Sequence, residues 1–221
     1  MQQQAYLQSN SIVIKIDTLC EHVNNANTYV VSSGEEAIVI DPANDIRSIK
    51  TLLKNKKLVG VLLTHGHFDH FSTINKMLTE FNCPYYMHKN AYSKLKNVDT
   101  SCARYFGCNA PVEIDETYIK FVSEGVKINI AGLDIKCLYK PGHTDCSIVF
   151  QIENNLFTGD FLFKGSVGRC DLPTGNNLIM RKSLSEIKTF KKEEDFVIYP
   201  GHGESTLLSE ELKTNYYLLR F

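Results

Sequence analysis

The residues best suited to chemistry are histidines that gather in one short segment. The chain has seven histidines, and His65, His67 and His70 fall within six positions, together with Asp69. In an extended segment, residues two apart point to the same side, so His65 and His67 can converge on one ion. Asp69 and His70 lie where the loop turns into the next helix, so they can face a second point nearby. This pattern predicts a metal site.

Three further segments end a strand with a glycine-containing turn and then present a metal-binding side chain. His143, Asp160 and His202 stand in the sequences P-G-H-T, T-G-D and P-G-H-G. Imidazole and carboxylate ligands suit zinc, iron and manganese, so the ligand types leave the metal open. The two histidines outside this pattern, His22 and His88, are expected at the surface or in hydrogen bonds.

The elements that must position these ligands are strands and helices mixed in both halves of the chain. Hydrophobic patterns predict strands over Ser11–Ile16, Asn27–Ser32, Ala37–Ile40, Leu58–Leu63, Cys83–Met87, Tyr118–Phe121, Val126–Ile130, Leu133–Leu138, Ser147–Ile152, Leu156–Thr158 and Phe196–Tyr199. Helices are predicted over Asp45–Lys56, after His70 to about Phe81, within Lys89–Pro111 together with loop, over Asn177–Phe190, and over Ser209–Tyr217 with Ser209 as the N-cap. This mixture favours two sheets packed face to face with helices outside.

Composition narrows the class of protein. The 221 residues suffice for one large domain or at most two small ones, and the net charge of -1 gives no general attraction to nucleic acid. No apolar stretch is long enough to cross a bilayer, and the first residues lack the features of a secretory signal. The seven cysteines are odd in number and have no C-x-x-C spacing, which favours reduced thiols. We therefore expect a cytoplasmic protein with no membrane partner.

The motifs together resemble those of the metallo-β-lactamase superfamily. The matching segments are T-H-G-H-F-D-H at 64–70, P-G-H-T at 141–144, T-G-D at 158–160 and P-G-H-G at 200–203, within a similarity from about Ile38 to Asn215. The aspartate at 160 resembles hydrolases in which a carboxylate bridges two metals, whereas true β-lactamases have cysteine there. The stretch G-D-F-L-F-K-G-S-V-G-R-C-D-L-P at 159–173 is similar to the short bacterial glyoxalase II-like (hydroxyacylglutathione hydrolase-like) branch.

The resemblance implies a fold and a division of the ligands. It implies a four-layer αββα sandwich that forms one domain over residues 1–221, with two divalent metal ions, most simply zinc, although iron or manganese would also suit. The first metal would be held by His65, His67 and His143, the second by Asp69, His70 and His202, with Asp160 bridging both. Full-length glyoxalase II enzymes add a C-terminal helical domain that grips glutathione. This chain ends soon after His202, so no separate domain of that kind is expected.

The resemblance also implies a reaction. A hydroxide shared by the two metals would attack the carbonyl of a small-molecule thioester such as S-lactoylglutathione. Asp69 and His70 are the expected catalytic residues, and Asp69 would also orient the hydroxide. Lys164 or Arg169 is a candidate for attracting a carboxylate on the substrate. The alternative, of equal weight, is that these residues are ordinary loop cations in contact with solvent. We expect the chain to act as a monomer or a small homo-oligomer.

Three other functions remain compatible with the sequence. Persulfide dioxygenases share this fold and part of the ligand set but use a single iron. Hydrolases of another ester class, including RNA-processing phosphodiesterases, are a second possibility, although those nucleases carry basic modules that this chain lacks. A non-catalytic metal-binding protein is the third, and the complete ligand set argues against it.

Overall fold

Two six-stranded sheets form the centre of the molecule in the computed structural model, which describes residues 13–21, 26–112, 114–190 and 195–221. In the first sheet the strands lie in chain order: β1 (Ile14–Leu19), β2 (Thr28–Ser33), β3 (Glu36–Ile40), β4 (Lys57–Leu62), β5 (Tyr85–Met87) and β6 (Ile119–Phe121). The first three strands pair antiparallel, and β3 through β6 pair parallel.

The second sheet is mostly antiparallel. It contains β7 (Lys127–Ile130), β8 (Leu133–Tyr139), β9 (Ile148–Ile152), β10 (Asn155–Gly159), β11 (Val197–Pro200) and β12 (Thr206–Leu207), also in chain order across the sheet. The strands β10 and β11 are the parallel pair. Because parallel neighbours end at the same edge of a sheet, the loops after β10 and β11 lie together.

The helices cover the outer faces of the two sheets. They are α1 (Ile46–Leu53), α2 (Phe68–Phe71), α3 (Ile74–Glu80), α4 (Lys89–Leu95), α5 (Asn177–Ile187), α6 (Leu208–Thr214) and α7 (Tyr216–Arg220). Two 3-10 helices, Ala103–Phe106 and Glu116–Tyr118, lie between α4 and β6. Among the described residues, none of the helices has the length and apolar character needed to cross a membrane.

The alternation of side chains along the strands produces a layered core. On β3, Ile38 and Ile40 face the second sheet and pack with residues such as Phe150 and Phe157. Val39 faces the other way, toward α1, α3 and α4. A third cluster packs the outer face of the second sheet against α5, α6 and α7. The four layers confirm the predicted αββα sandwich.

Two predicted helices differ from the structure in detail. The helix expected after His70 to about Phe81 is α3, but it begins only at Ile74 and is separate from α2. Thr73, between them, donates through its backbone N–H to the carbonyl of Pro42 (3.0 Å) and through its hydroxyl to that of Asn44 (2.7 Å). Tying the chain to this loop interrupts the regular hydrogen bonding of the helix.

The C-terminal helix is likewise divided, and its predicted cap is not a cap. The N-cap of α6 is Leu207, so Ser209 lies inside the helix. Asn215 then has extended backbone and accepts hydrogen bonds from the N–H groups of Tyr217 and Leu218, which begins α7 as a separate helix. The first strand lies at Ile14–Leu19, three residues beyond the predicted start, and positions 11 and 12 are outside the described residues.

The two sheets are joined at the edge where the predicted ligands lie. The backbone N–H of Ile148, on β9, donates to the carbonyl of Thr64 at the end of β4 (2.8 Å). Asn27 donates through its side chain to the carbonyl of Pro200 (3.0 Å), which ends β11. These bonds hold strand ends from both sheets around one point.

Candidate metal centre

Three imidazoles form the first part of the site. His65 and His67 follow β4, and His143 follows β8, so both sheets contribute. The Nε2 atom of His65 lies 3.1 Å from Nδ1 of His67, which lies 2.9 Å from Nε2 of His143. Three ring nitrogens aimed at one point cannot all hydrogen-bond to one another, whereas a single cation accepts all three as ligands.

A hydrogen bond on the far side of the ring fixes the orientation of His143, and burial keeps the other two imidazoles neutral. The Nδ1 atom of His143 lies 2.7 Å from the carbonyl oxygen of Arg169, so this nitrogen carries the proton and Nε2 keeps its lone pair for the common point. Burial, reinforced by the neighbouring imidazoles, lowers the pKa of His65 well below its usual value and that of His67 to about 3. Both rings are therefore neutral and able to act as ligands.

A second cluster adjoins the first. The Nε2 atom of His202 lies 3.1 Å from Oδ2 of Asp69, and Nε2 of His70 lies 3.9 Å from the same oxygen. Burial would raise the pKa of Asp69, but His70 and the hydrogen bond from His202 outweigh it and lower that pKa. Asp69 is therefore a carboxylate at neutral pH.

Asp160 lies between the two clusters and points one carboxylate oxygen at each. Its Oδ1 atom lies 3.1 Å from Nε2 of His70 and 3.7 Å from Nε2 of His202, while Oδ2 lies 3.4 Å from Nε2 of His143. Despite its burial, the three histidines hold the pKa of Asp160 well below the usual range. A carboxylate in this position can bind two cations at once.

Unsatisfied polar atoms test whether the site fits metal ions. Among the described residues, the buried atoms Nε2 of His70 and Oδ1 of Asp160 make no hydrogen bond of acceptable geometry, although they lie near each other. Buried polar atoms are rarely left without a partner, and these two face the space between the clusters. The donor set of imidazole nitrogens and carboxylate oxygens thus fits divalent cations.

Asp41 is a functional candidate that the sequence prediction missed. It follows β3, is buried, and has φ of +50°, a conformation that few non-glycine residues adopt. Its Oδ2 atom lies 2.8 Å from Nδ1 of His70, and its two oxygens accept hydrogen bonds from the backbone N–H (2.8 Å) and hydroxyl (2.6 Å) of Thr64. It thereby fixes the ring of His70 and the start of the ligand loop.

Glycines allow the ligand loops to approach one another. A Cβ atom on Gly201 would lie 2.3 Å from Oδ1 of Asp160 and 2.6 Å from a ring carbon of His70. A Cβ on Gly159, which has φ of +49°, would lie 2.4 Å from the hydroxyl oxygen of Thr64. Gly201 and Gly159 directly precede the ligands His202 and Asp160. A side chain at either glycine would prevent the ligand loops from approaching this closely.

A cavity of about 620 Å³ opens above the clusters. Its walls are formed by His67, Asp69, Cys102, Tyr105, Phe106, His143, Asp160, Phe163, Gly168, Arg169, Leu172 and His202. This volume lies within the range of small-molecule sites.

The two cations predicted to bind substrate occupy different places. Arg169 lines the cavity, although its guanidinium is exposed and donates to both carboxylate oxygens of Asp171 (2.6 and 2.7 Å). Lys164 is not among the lining residues and pairs with Glu204 at 2.7 Å. Of the two, only Arg169 is placed to contact a ligand in the cavity.

Among the described residues, His88 and the cysteines do not belong to the ligand clusters, although one cysteine lines the cavity. His88 is buried, stacks on Tyr139 and accepts a hydrogen bond from the N–H of Asn90, which confirms its predicted hydrogen-bonding role. His22 lies outside the described residues. None of the seven cysteines, all within the described part of the chain, forms a disulfide, and Cys102 alone of them lines the cavity.

The fold and these clusters define a class: an αββα sandwich with a candidate two-metal centre at the edge shared by its sheets. The chain belongs to the metallo-beta-lactamase superfamily, since the family model matches residues 23–202.

Relatives and solved structures agree with this assignment. The chain is 32% identical over 206 residues to an uncharacterized protein of Aquifex aeolicus, covering 92% of this chain and 96% of that one. It is 34% identical over 190 residues to a probable metallo-hydrolase of Methanocaldococcus jannaschii, covering 81% and 88%. Among solved structures it is similar to the BLEG-1 B3 metallo-beta-lactamase (TM-score 0.83, 25% identity, 92% and 99% covered). It is also similar to TTHA1623 in a di-iron-bound form (TM-score 0.77, 28% identity, 91% and 99% covered).

Proposed function

We propose that this protein is a dinuclear metal-dependent hydrolase of thioesters. The observation that carries the proposal is the position of Asp160, which directs one oxygen toward each of two complete ligand clusters. The name of the archaeal relative, a probable metallo-hydrolase, supports the general class. The choice of thioesters rests on the similarity of residues 159–173 to the glyoxalase II-like branch.

The ligands would divide as their geometry suggests. The first cation would be held by His65, His67 and His143, and the second by Asp69, His70 and His202, with Asp160 shared. Two bound divalent ions would lower the pKa of a water to roughly 7 and polarise the substrate carbonyl. Zinc, iron and manganese all suit these ligands, and the di-iron form of TTHA1623 makes iron a specific candidate.

The protein groups have distinct tasks around the reacting carbonyl. Asp69 lines the cavity, and its carboxylate can hold the attacking water by a hydrogen bond. His70 is kept in one orientation by Asp41, which accepts the proton on Nδ1 and leaves Nε2 free to act at the centre. Arg169, on the cavity wall, is the proposed contact for a substrate carboxylate. Cys146 is buried, with a pKa raised by burial to about 11, and so does not serve as a nucleophile.

The alternative of a persulfide dioxygenase requires one iron per chain. The second cluster argues against it, because Asp69, His70 and His202 form a complete set of their own beside the first.

The test compares the two reactions on one preparation. Metal-free protein is reloaded with zinc, iron(II) or manganese, metal content is measured, and hydrolysis of S-lactoylglutathione is followed alongside oxygen consumption with glutathione persulfide. We expect thioester hydrolysis that saturates at two metals per chain. His143→Ala should abolish it, whereas Cys170→Ala should leave turnover largely intact. Oxygen consumption at one iron per chain, without hydrolysis, would replace this proposal by the alternative.

A further inference from the structure

A short turn that carries two aromatic side chains, called the aromatic turn below, lines the cavity at the candidate metal centre. The 3-10 helix Ala103–Phe106 lies between Cys102 and Gly107, which both have left-handed backbone (φ +61° and +74°). It carries Tyr105, 79% exposed, and Phe106, 41% exposed, and both line the cavity. A left-handed cysteine is an uncommon conformation, and here it helps to direct two large apolar side chains at the cavity.

The turn is attached to the same element that carries the metal ligands. The backbone N–H of Phe68, the first residue of α2, donates to the carbonyl of Ser101 at 2.8 Å. The ring of Phe106 lies 5.7 Å from that of Phe68, between centroids. The aromatic turn is therefore held at a defined place beside Asp69.

Two further apolar side chains, those of Phe163 and Leu172, line the same cavity. The ring of Phe163 lies 6.1 Å from the ring of His202, between centroids. Phe163 is held by a buried network, in which the side chain of Asn215 donates to the carbonyl of Ser166 (3.1 Å) and to the carboxylate of Glu211 (2.8 Å), and Phe163 pairs with Ser166 through the backbone.

Charge in the cavity is concentrated at its floor, which is formed by the ligand clusters. Arg169 is the only lysine or arginine among the described residues that line the cavity, and it is already paired with Asp171. On these walls, within the described part of the chain, Arg169 is the one cation available to a substrate carboxylate. An apolar substituent would instead remove exposed aromatic and aliphatic surface from water, which is favourable.

We propose that the substrates of this site are thioesters with an apolar group next to the reacting centre, packed against the aromatic turn and the side chains of Phe163 and Leu172. This inference rests on the proposed function. In the reaction, the oxygen of water bonds to the acyl carbon, the carbon–sulfur bond breaks with its electron pair leaving on sulfur, and the protons of water pass to the thiolate and the medium. The apolar group can belong to the acyl or to the thiol portion.

Two substrate series distinguish these sources. One series joins acyl groups of two to eight carbons to N-acetylcysteamine, and the other joins an acetyl group to alkyl thiols of increasing length. The metal-loaded protein is compared with Tyr105→Ala, Phe106→Ala and the control Phe121→Ala, an aromatic residue that is 57% exposed on β6 and does not line the cavity. Binding of the matching non-hydrolysable thioethers is measured by calorimetry as a readout independent of turnover.

We expect kcat/KM to rise at least about tenfold along one series, since each methylene in an apolar pocket can change selectivity by that order. Tyr105→Ala and Phe106→Ala should reduce this rise and weaken thioether binding, whereas Phe121→Ala should retain both. Hydrolysis without length dependence in either series, or a dependence that both cavity variants retain, would overturn this inference alone. If metal-loaded protein hydrolyses no thioester, the proposed function fails, and this inference fails with it.

Discussion

The floor of the cavity, formed by the ligand clusters, differs from its rim, formed by residues such as Tyr105 and Arg169, in how far its side chains are buried. At the floor, polar side chains from strand ends of both sheets are mostly buried and fixed by one another, as in the contacts of Asp160 with His70 and His143. At the rim, side chains such as Tyr105 and Arg169 project from loops and are largely exposed. The fold therefore positions the candidate metal ligands, and the loops shape the access to them.

The largest effect should come from the residue shared by both clusters. Asp160→Asn removes the negative charge between the two sets of ligands, so we expect loss of at least one metal and a fall in kcat/KM on the order of 10²–10³. Metal analysis and thioesterase kinetics measure both. At the rim, Asp171→Asn should change kcat/KM by less than about threefold, because it alters only an exposed ion pair. Equal losses in the two variants would contradict the distinction between floor and rim.

A matched pair of glycines beside His202 tests whether the floor tolerates displacement. Gly201→Ala would push a methyl group against Asp160 and His70, and a ligand shift of about 1 Å can cost on the order of a hundredfold in rate. Gly203 has φ of +80° but no atom near its Cβ position. Gly203→Ala should therefore lower the free energy of unfolding by about 1 kcal/mol without changing metal content. Thermal unfolding, metal analysis and thioesterase kinetics separate the two variants, and an unchanged rate with both metals retained in Gly201→Ala would refute the steric argument.

Asp41 extends the floor outward by one layer. Asp41→Asn removes the charged acceptor that faces Nδ1 of His70, and loss of such a partner typically weakens metal binding by about 10–100-fold. Competition with a chelator measures this affinity. Asp134→Asn, at an exposed site where the side chain accepts from Asn129, is the matched control and should bind metal as the wild type does. Unchanged affinity in Asp41→Asn would mean that Asp41 serves only to hold Thr64.

The smallest effects are expected at the two rim cations. Arg169→Ala should raise KM for a carboxylate-bearing thioester by no more than about fivefold, because its guanidinium is exposed and already paired with Asp171. Lys164→Ala should leave KM unchanged, since its partner is Glu204 and it does not line the cavity. Steady-state kinetics at low and high salt check this. A tenfold rise in KM for Arg169→Ala would show that the rim, too, binds substrate through charge.

The contrast between floor and rim also explains what the sequence could predict. His143, Asp160 and His202 are predictable because each follows a strand and a glycine turn, which is a local pattern. Asp41 follows β3 directly, without a glycine, and an aspartate before proline is also typical of an ordinary turn. Only its contacts with His70 and Thr64 distinguish the two interpretations.

The rim could not be predicted because it is formed by residues that are distant in sequence and meet only in the folded chain. Tyr105 and Phe106 lie in the region predicted as helix plus loop, and nothing in their spacing indicates that they line the same cavity as Phe163. That juxtaposition depends on hydrogen bonds across the fold, such as those of Asn215. The same residue divides the C-terminal helix that periodicity had predicted as one element.

The proposed hydrolase depends on two cations that share Asp160. Metal analysis of the reloaded protein, combined with anomalous diffraction from its crystals, measures their number and positions. We predict two metal ions per chain, one held by the nitrogens of His65, His67 and His143, and the other by Asp69, His70 and His202. A single ion per chain at saturating metal, with Asp160 bound to it alone, would contradict the proposed two-metal centre.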